Sequence, residues 1–114
     1  MIRKILRRYK FDINERYATN SAVEYIPEPV RMLLWEKIDD RIAKKKRLDS
    51  VQAFEFEVGE DIKITHSQKR PSYVAKHRYP LIESLKYLDQ KRVLVIDAIT
   101  HCTMQLAREN EEKR

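Results

Sequence analysis

The sequence contains only one glycine and one cysteine among its 114 residues. A single cysteine, Cys102, excludes an internal disulfide and fits a reducing compartment. A single glycine excludes the glycine-rich loops that hold phosphate groups in nucleotide-binding proteins, because those loops need several glycines. Gly59 is then the natural residue for one tight turn.

Long apolar runs are also missing. One of the longest, residues 93–96, is far too short to cross a bilayer. The basic N-terminus lacks the continuous apolar segment of a signal peptide. We therefore expect a soluble, cytoplasmic protein without a membrane partner. The length fits a single small domain, residues 1–114, with a basic N-terminal extension at residues 1–15 and a polar tail at residues 108–114.

Positive charge is in excess, since 24 Lys and Arg residues against 18 Asp and Glu give a formal net charge of +6. The cations cluster at residues 3–10, 44–47 and 69–78. Clustered cations favour an acidic partner, and tyrosines among them are able to stack on unpaired bases. No helix-turn-helix or zinc-finger pattern accompanies them, so sequence-specific reading is not expected. The predicted nucleic-acid or partner-binding residues are Arg3, Lys4, Arg7, Arg8, Lys45, Lys46, Lys69, Arg70, Tyr73, Lys76 and Arg78.

The stretch from residue 26 to residue 47 predicts the main helix. Apolar residues recur there at helical spacing, namely Val30, Leu33, Leu34, Ile38 and Ile42. Two prolines near the start suit a first turn, and the cations at residues 44–47 suit the negative end of the helix dipole. A shorter second helix is predicted at residues 81–90, after Pro80.

Strand patterns fill most of the remaining chain. Residues 52–58 and 61–68 alternate apolar with polar residues around Gly59, which predicts a hairpin with one buried side. Residues 72–79 predict an edge piece, residues 93–98 a central strand, and residues 101–106 a last strand in a second hairpin. One or two short extended pieces are predicted around a turn at residues 19–21. The predicted fold class is α+β, with one main amphipathic helix on an antiparallel sheet of about four to six short strands and a short second helix.

The order of these motifs resembles a known family. The residues that carry the resemblance are Arg16, Tyr17 and Thr19; Pro27, Leu34 and Trp35; Gln52, Phe54 and Glu55; His66, Gln68 and Pro71; and Ile96, Asp97, His101, Thr103 and Met104. They cover roughly residues 16–107 and resemble the staphylococcal-type family of small Firmicute proteins of unknown function, domain-of-unknown-function family nine hundred and sixty. The resemblance implies a compact cytosolic bacterial domain and supplies no activity. Two features depart from it, namely the basic segment at residues 1–15 and the turn at residues 98–100, where the family has an acidic turn with a glycine.

Three functions fit these patterns. The first is a non-enzymatic binding module that engages a nucleic acid or another polyanion through the basic segments. The second is a protein–protein adaptor or inhibitor, a mobile-element accessory factor among them, that binds an acidic protein surface. The third is a small enzyme that uses His66, Asp97 and His101, with Cys102 nearby. His101 and Cys102 are adjacent on a predicted strand and therefore point to opposite faces. No metal or cofactor is expected.

Overall fold

A single mixed sheet forms the centre of the molecule. The computed structural model describes residues 9–81, 83–89 and 91–107. Within these residues, six strands lie in the order β1-β6-β5-β2-β3-β4. The strands are β1 (Arg16–Ala18), β2 (Val51–Val58), β3 (Asp61–Gln68), β4 (Tyr73–Pro80), β5 (Arg92–Asp97) and β6 (Cys102–Leu106). The predicted α+β class is confirmed, with one difference, because β1 pairs with β6 in parallel while the other pairs are antiparallel.

The main helix, α2 (Glu28–Ala43), covers one face of this sheet. Its buried residues Val30, Leu34 and Ile38 belong to one core cluster with Phe54 and Phe56 of β2. The helix ends four residues before the predicted boundary at residue 47. The apolar spacing did not show where the helix ends. The chain leaves the helix after Ala43, and the side chain of Leu48 is then buried in the core.

The segment before α2 corrects the sequence-based prediction. Residues 20–25 form a short helix, α1 (Asn20–Tyr25), where extended chain was predicted. The Oγ1 of Thr19 accepts a hydrogen bond from the backbone N–H of Ala22 at 3.1 Å and so caps the helix. Val23 and Tyr25 lie two positions apart, as they would on one face of a strand, and this spacing suggested extended chain. In the structure both residues belong to α1, and their side chains are exposed.

Both predicted hairpins are confirmed. In the β2–β3 hairpin, Glu57 lies opposite Lys63, and the two form an ion pair at 3.3 Å on the open face of the sheet. Glu55 pairs with Arg92 of β5 at 3.4 Å instead. The second hairpin joins β5 to β6. The predicted second helix is a 3-10 helix, Glu83–Leu88.

Two of the described residues before β1, Tyr9 and Phe11, contribute to the core. Phe11, which lies within the predicted N-terminal extension, is fully buried and donates its backbone N–H to Asp97 Oδ2 at 2.9 Å. Arg16 then fastens β1 to α2, because its Nη1 donates to Asp39 Oδ2 at 3.1 Å and its guanidinium lies 4.7 Å from the centre of the Trp35 ring. Trp35 is half-buried beneath this contact.

Candidate functional site

The end of α2 and the loop after it form a groove lined by four cations. Its volume is about 680 Å³, and its lining residues are Tyr9, Lys10, Ile42, Lys45, Lys46, Arg47 and Leu48. We call this the cationic groove. Three of these residues are apolar or aromatic and line it beside the cations, and no acidic side chain is among the described lining residues. Cations beside apolar and aromatic side chains suit a ligand that carries negative charge and also has an apolar or aromatic part.

The backbone at the end of α2 places two of the predicted binding residues, Lys45 and Lys46. Lys45 has φ 57°, in the left-handed region. Its N–H donates to the carbonyl of Ile42 at 2.9 Å, while the N–H of Lys46 donates to the carbonyl of Arg41 at 3.0 Å. These two bonds form a Schellman motif, in which glycine is the usual left-handed residue. A lysine in that conformation costs roughly 1 kcal/mol.

A second predicted segment joins this end of the molecule through hydrogen bonds. The Gln68 side chain donates to the carbonyl of Arg47 at 3.1 Å, and Asp49 Oδ2 accepts from the backbone N–H of Arg70 at 3.0 Å. The turn that carries Lys69 and Arg70 is therefore tied to the loop that carries Arg47. Both Lys69 and Arg70 are exposed. Residues 44–47 and 69–70, far apart in sequence, thus form one positively charged end.

The remaining predicted residues do not join the groove. Lys76 and Arg78 are exposed on β4, which runs away from the turn, and Arg78 is paired with Asp61 at 3.2 Å. Tyr73 is half-buried, and the guanidinium of Arg41 lies 3.5 Å from its ring centre, so this face of the ring is not free to stack on a base. The predicted residues Arg3, Lys4, Arg7 and Arg8 lie outside the described residues, as do the polar tail and most of the N-terminal basic segment.

His66 belongs to a buried polar network beneath the cationic end. Its Nε2 lies 2.7 Å from Gln52 Oε1, and the Gln52 side-chain amide donates to Gln68 Oε1 at 2.8 Å. Because that amide is already the donor of Gln52, its oxygen accepts, and His66 carries its proton on Nε2. The ring also stacks on Phe54, with 4.3 Å between centroids. Burial, with a smaller contribution from the nearby Arg41 charge, lowers the pKa of His66 to about 4.

The three residues of the predicted enzyme site are not brought together. His66 lies on β3 and Asp97 on β5, with β2 between them, so their strands are about 10 Å apart. Asp97 accepts backbone N–H groups from Phe11 and from Ile99, the latter at 2.7 Å. His101 is exposed, and its Nδ1 lies 2.9 Å from the hydroxyl of the neighbouring threonine.

Cys102 is the first residue of β6 and is buried, whereas His101, which precedes the strand, is exposed. Burial raises the pKa of its thiol to about 11, with a further contribution from the carboxylate of Asp97. A thiol with such a pKa is a poor nucleophile near neutral pH. Over residues 9–81, 83–89 and 91–107, the structure contains no cluster of three or more His, Cys, Asp or Glu side chains arranged to hold a metal ion.

Sequence reasoning missed part of the groove. Tyr9, Ile42 and Leu48 line it beside the cations, and of these only Ile42 was singled out, as part of the apolar stripe of the main helix. The available signal was a run of four cations directly after a helical pattern without the glycine that commonly follows a helix. Outside the groove, Lys37 and Arg41 of α2, which contact Tyr79 and Tyr73, were not predicted either, because their positions resemble ordinary surface positions in the sequence.

Comparison with known proteins assigns the family. The profile of a family described as "Staphylococcal protein of unknown function (DUF960)" matches residues 15–109. The chain belongs to this family. The crystal structure of a protein of unknown function from Enterococcus faecalis is similar to the DUF960 chain, with a TM-score of 0.73 and 19% sequence identity over 88% of this chain and 94% of that chain. This likeness supports the fold. No curated protein matches the sequence.

The predicted resemblance to this family is thereby confirmed. As for membranes, no helix in the described part of the chain is both long enough and apolar enough to span one.

Proposed function

We propose that this DUF960 protein is a non-enzymatic cytosolic binding module that holds a nucleic acid in the cationic groove. The observation that carries the proposal is the convergence of Lys10, Lys45, Lys46 and Arg47 on one groove. The phosphate backbone of a nucleic acid contacts several cations at once, and binding is favoured because each contact releases a condensed counterion. The net charge of +6 supports the same class of partner.

The conformation of Lys45 gives independent support. Lysines after a helix also stabilise its negative end, and this role alone would account for the basic run. However, any residue at this position has to adopt a left-handed conformation, which glycine does without strain. Lysine occupies this position despite a conformational cost, and a strained residue in a concave site is typical of a functional position.

The Tyr9 ring extends the argument from charge to ligand type. It lines the groove beside Lys10, and its side chain is half-buried rather than fully packed. An aromatic ring next to cations provides a stacking surface for an unpaired base. Stacking is tolerant of base identity, so we expect binding to single strands with little sequence preference.

Substitution of Lys45 with glycine separates binding from folding. The Lys45→Gly variant should be at least as stable as the parent protein, because it relieves the left-handed strain, yet bind a labelled oligothymidylate more weakly. Fluorescence anisotropy at salt concentrations from about 50 to about 200 mM should show the slope of log affinity against log salt falling by about 1. A Lys46→Gln variant, at an ordinary backbone conformation, should show the same change.

Lys91→Gln serves as the matched control, since Lys91 is exposed and does not line the groove. It removes one positive charge and should leave the salt slope unchanged. Equal losses for all three variants would mean that only net charge matters and would refute the groove as the site. If poly-L-glutamate binds in the groove more tightly than the oligonucleotide, the partner is an acidic protein surface and the proposal is wrong.

A further inference from the structure

Among residues 9–81, 83–89 and 91–107, no strand pairs with the outer edge of β4. All eight residues of β4 pair with β3, from Tyr73 opposite Gln68 to Pro80 opposite Asp61, and the register contains no bulge. β4 is the last strand of the sheet on this side. In the parts of the chain that are described, no hydrogen bond from another element reaches its outer edge. A straight, regular edge of this length is a template for one more strand.

Cations lie along this edge on the face of the sheet that α2 covers. Lys37 Nζ lies 5.6 Å from the centre of the Tyr79 ring, and the Arg41 guanidinium lies 3.5 Å from that of Tyr73. Along the described chain, neither cation has a carboxylate within ion-pair distance. The buried Nε of Arg41 has no hydrogen-bond partner among the described residues. The pKa of Lys37 is raised by its hydrogen bond with Tyr79 and also by the carboxylates of Asp40 and Glu36, so the less compensated of the two charges is that of Arg41.

The opposite face of the edge is also positive. Lys76 and Arg78 are exposed there, and only Arg78 has an acidic partner, Asp61. On the helix face, Asp40 acts on the half-buried His77, whose pKa is lowered by burial and by the Lys37 charge. Among the described ion pairs, Arg41 on the helix face and Lys76 on the open face have no acidic partner.

This charge selects between the possible occupants of the edge. A second copy of the chain, paired β4 to β4, would bring its own cations against these and would be repelled, which is a common protection of strand edges. An acidic strand would meet opposite charges at the same positions. Side chains of a strand alternate between faces, so one set would point toward Lys37 and Arg41 and the other toward Val74, an apolar residue 60% exposed on the open face.

We propose that β4 is a docking edge for an extended acidic peptide, which adds to the sheet as a further antiparallel or parallel strand. Backbone hydrogen bonds provide the binding, and the alternation of acidic and apolar side chains provides the selectivity. The inference concerns a different surface from the cationic groove and does not depend on the nucleic-acid proposal.

The test uses an eight-residue peptide of alternating glutamate and valine, capped at both ends, with the full-length protein labelled for NMR. We expect amide shifts concentrated on residues 73–80 and on the side chains of Lys37 and Arg41. Replacement of Lys37 and Arg41 with glutamine should lower the affinity for the peptide about tenfold, since two partly shielded charge contacts are lost. A matched peptide of alternating lysine and valine should not bind.

Two N-methylated forms of the peptide distinguish strand addition from simple charge attraction. Methyl groups on one alternating set of nitrogens block the bonds to β4, whereas methyl groups on the other set point away. Loss of binding with one set only is expected. Binding that ignores the position of the methyl groups, shifts that map to the cationic groove, or no binding at millimolar peptide would each overturn the proposal. So would a β4-mediated dimer or an oligothymidylate that shifts residues 73–80.

Discussion

Acidification should destabilise this protein well above the pH at which its carboxylates titrate, because of His66. The side chain is 1% exposed and its Nε2–H is bonded to Gln52. Three positive or titratable groups face it, Arg41, His77 and Lys37, and each disfavours the charged imidazolium. The pKa of about 4 in the folded protein lies well below the ordinary value of 6.5.

The sign and size of the effect follow from proton linkage. Between the two pKa values, the unfolded chain binds a proton that the folded protein excludes, so the free energy of unfolding decreases as pH falls. One pKa unit corresponds to about 1.4 kcal/mol, so the loss is about 2 kcal/mol by about pH 5 and about 3 kcal/mol by about pH 4. For a domain whose stability lies between about 5 and 15 kcal/mol, this is a substantial fraction.

Urea unfolding at a series of pH values from about 7.5 to about 4.5 measures this loss. NMR titration of the His66 ring in the folded protein reports its pKa directly and needs no variant. A His66→Gln variant, which keeps a donor for Gln52 and does not titrate, should have a flatter dependence on pH. His101→Gln is the matched control, because it removes a histidine that is exposed.

Two results would refute this reasoning. The first is a His66 resonance that titrates near the ordinary histidine value, which would show that the ring is solvated in the folded protein. The second is an identical pH slope for the parent and His66→Gln proteins. His77 also has a lowered pKa, through burial and the Lys37 charge, so a His77→Gln variant measures its share of the slope.

Two further outcomes are expected at the β5–β6 hairpin. Ile99 is exposed with φ 80°, a conformation that strains a β-branched residue. Ile99→Gly should therefore raise the free energy of unfolding by about 1 kcal/mol. An unchanged or lower melting temperature would contradict this. Cys102 has a thiol pKa raised to about 11 by burial, so a thiol reagent at neutral pH should label the folded protein far more slowly than the urea-unfolded chain, and equal rates would contradict it.

Periodicity predicted the elements that bury one side. The β2–β3 hairpin was readable because Phe54, Phe56, Ile62 and Ile64 alternate around Gly59. The same alternation placed His66 on the inward face, and the structure confirms that it is buried there. The α1 helix was not predicted, since it has no apolar stripe and is instead held by the side-chain cap of Thr19 and by contacts with β6.

The candidate sites were predicted only in part, for a physical reason. Lys45 and Lys46 were predicted because they lie in a run of cations in the sequence, and residues adjacent in the sequence stay close together in the folded protein. The joining of residues 69–70 to this cluster depends on the amide of Gln68 and the carboxylate of Asp49, and the pairing of a glutamine with a loop carbonyl leaves no pattern in sequence. The β4 edge likewise exists only once the strand order is known.

The parallel pairing of β1 with β6 has a consequence for biosynthesis. β1 is made early on the ribosome, but its partner strand lies at the other end of the sequence, and 86 residues separate Phe11 from the Asp97 carboxylate that receives its N–H. Closing so long a loop comes late, because its entropy has to be offset by contacts already formed. We therefore expect Phe11 and β1 to dock only after β6 has been synthesised. The side of the groove that Lys10 lines is then the last to form.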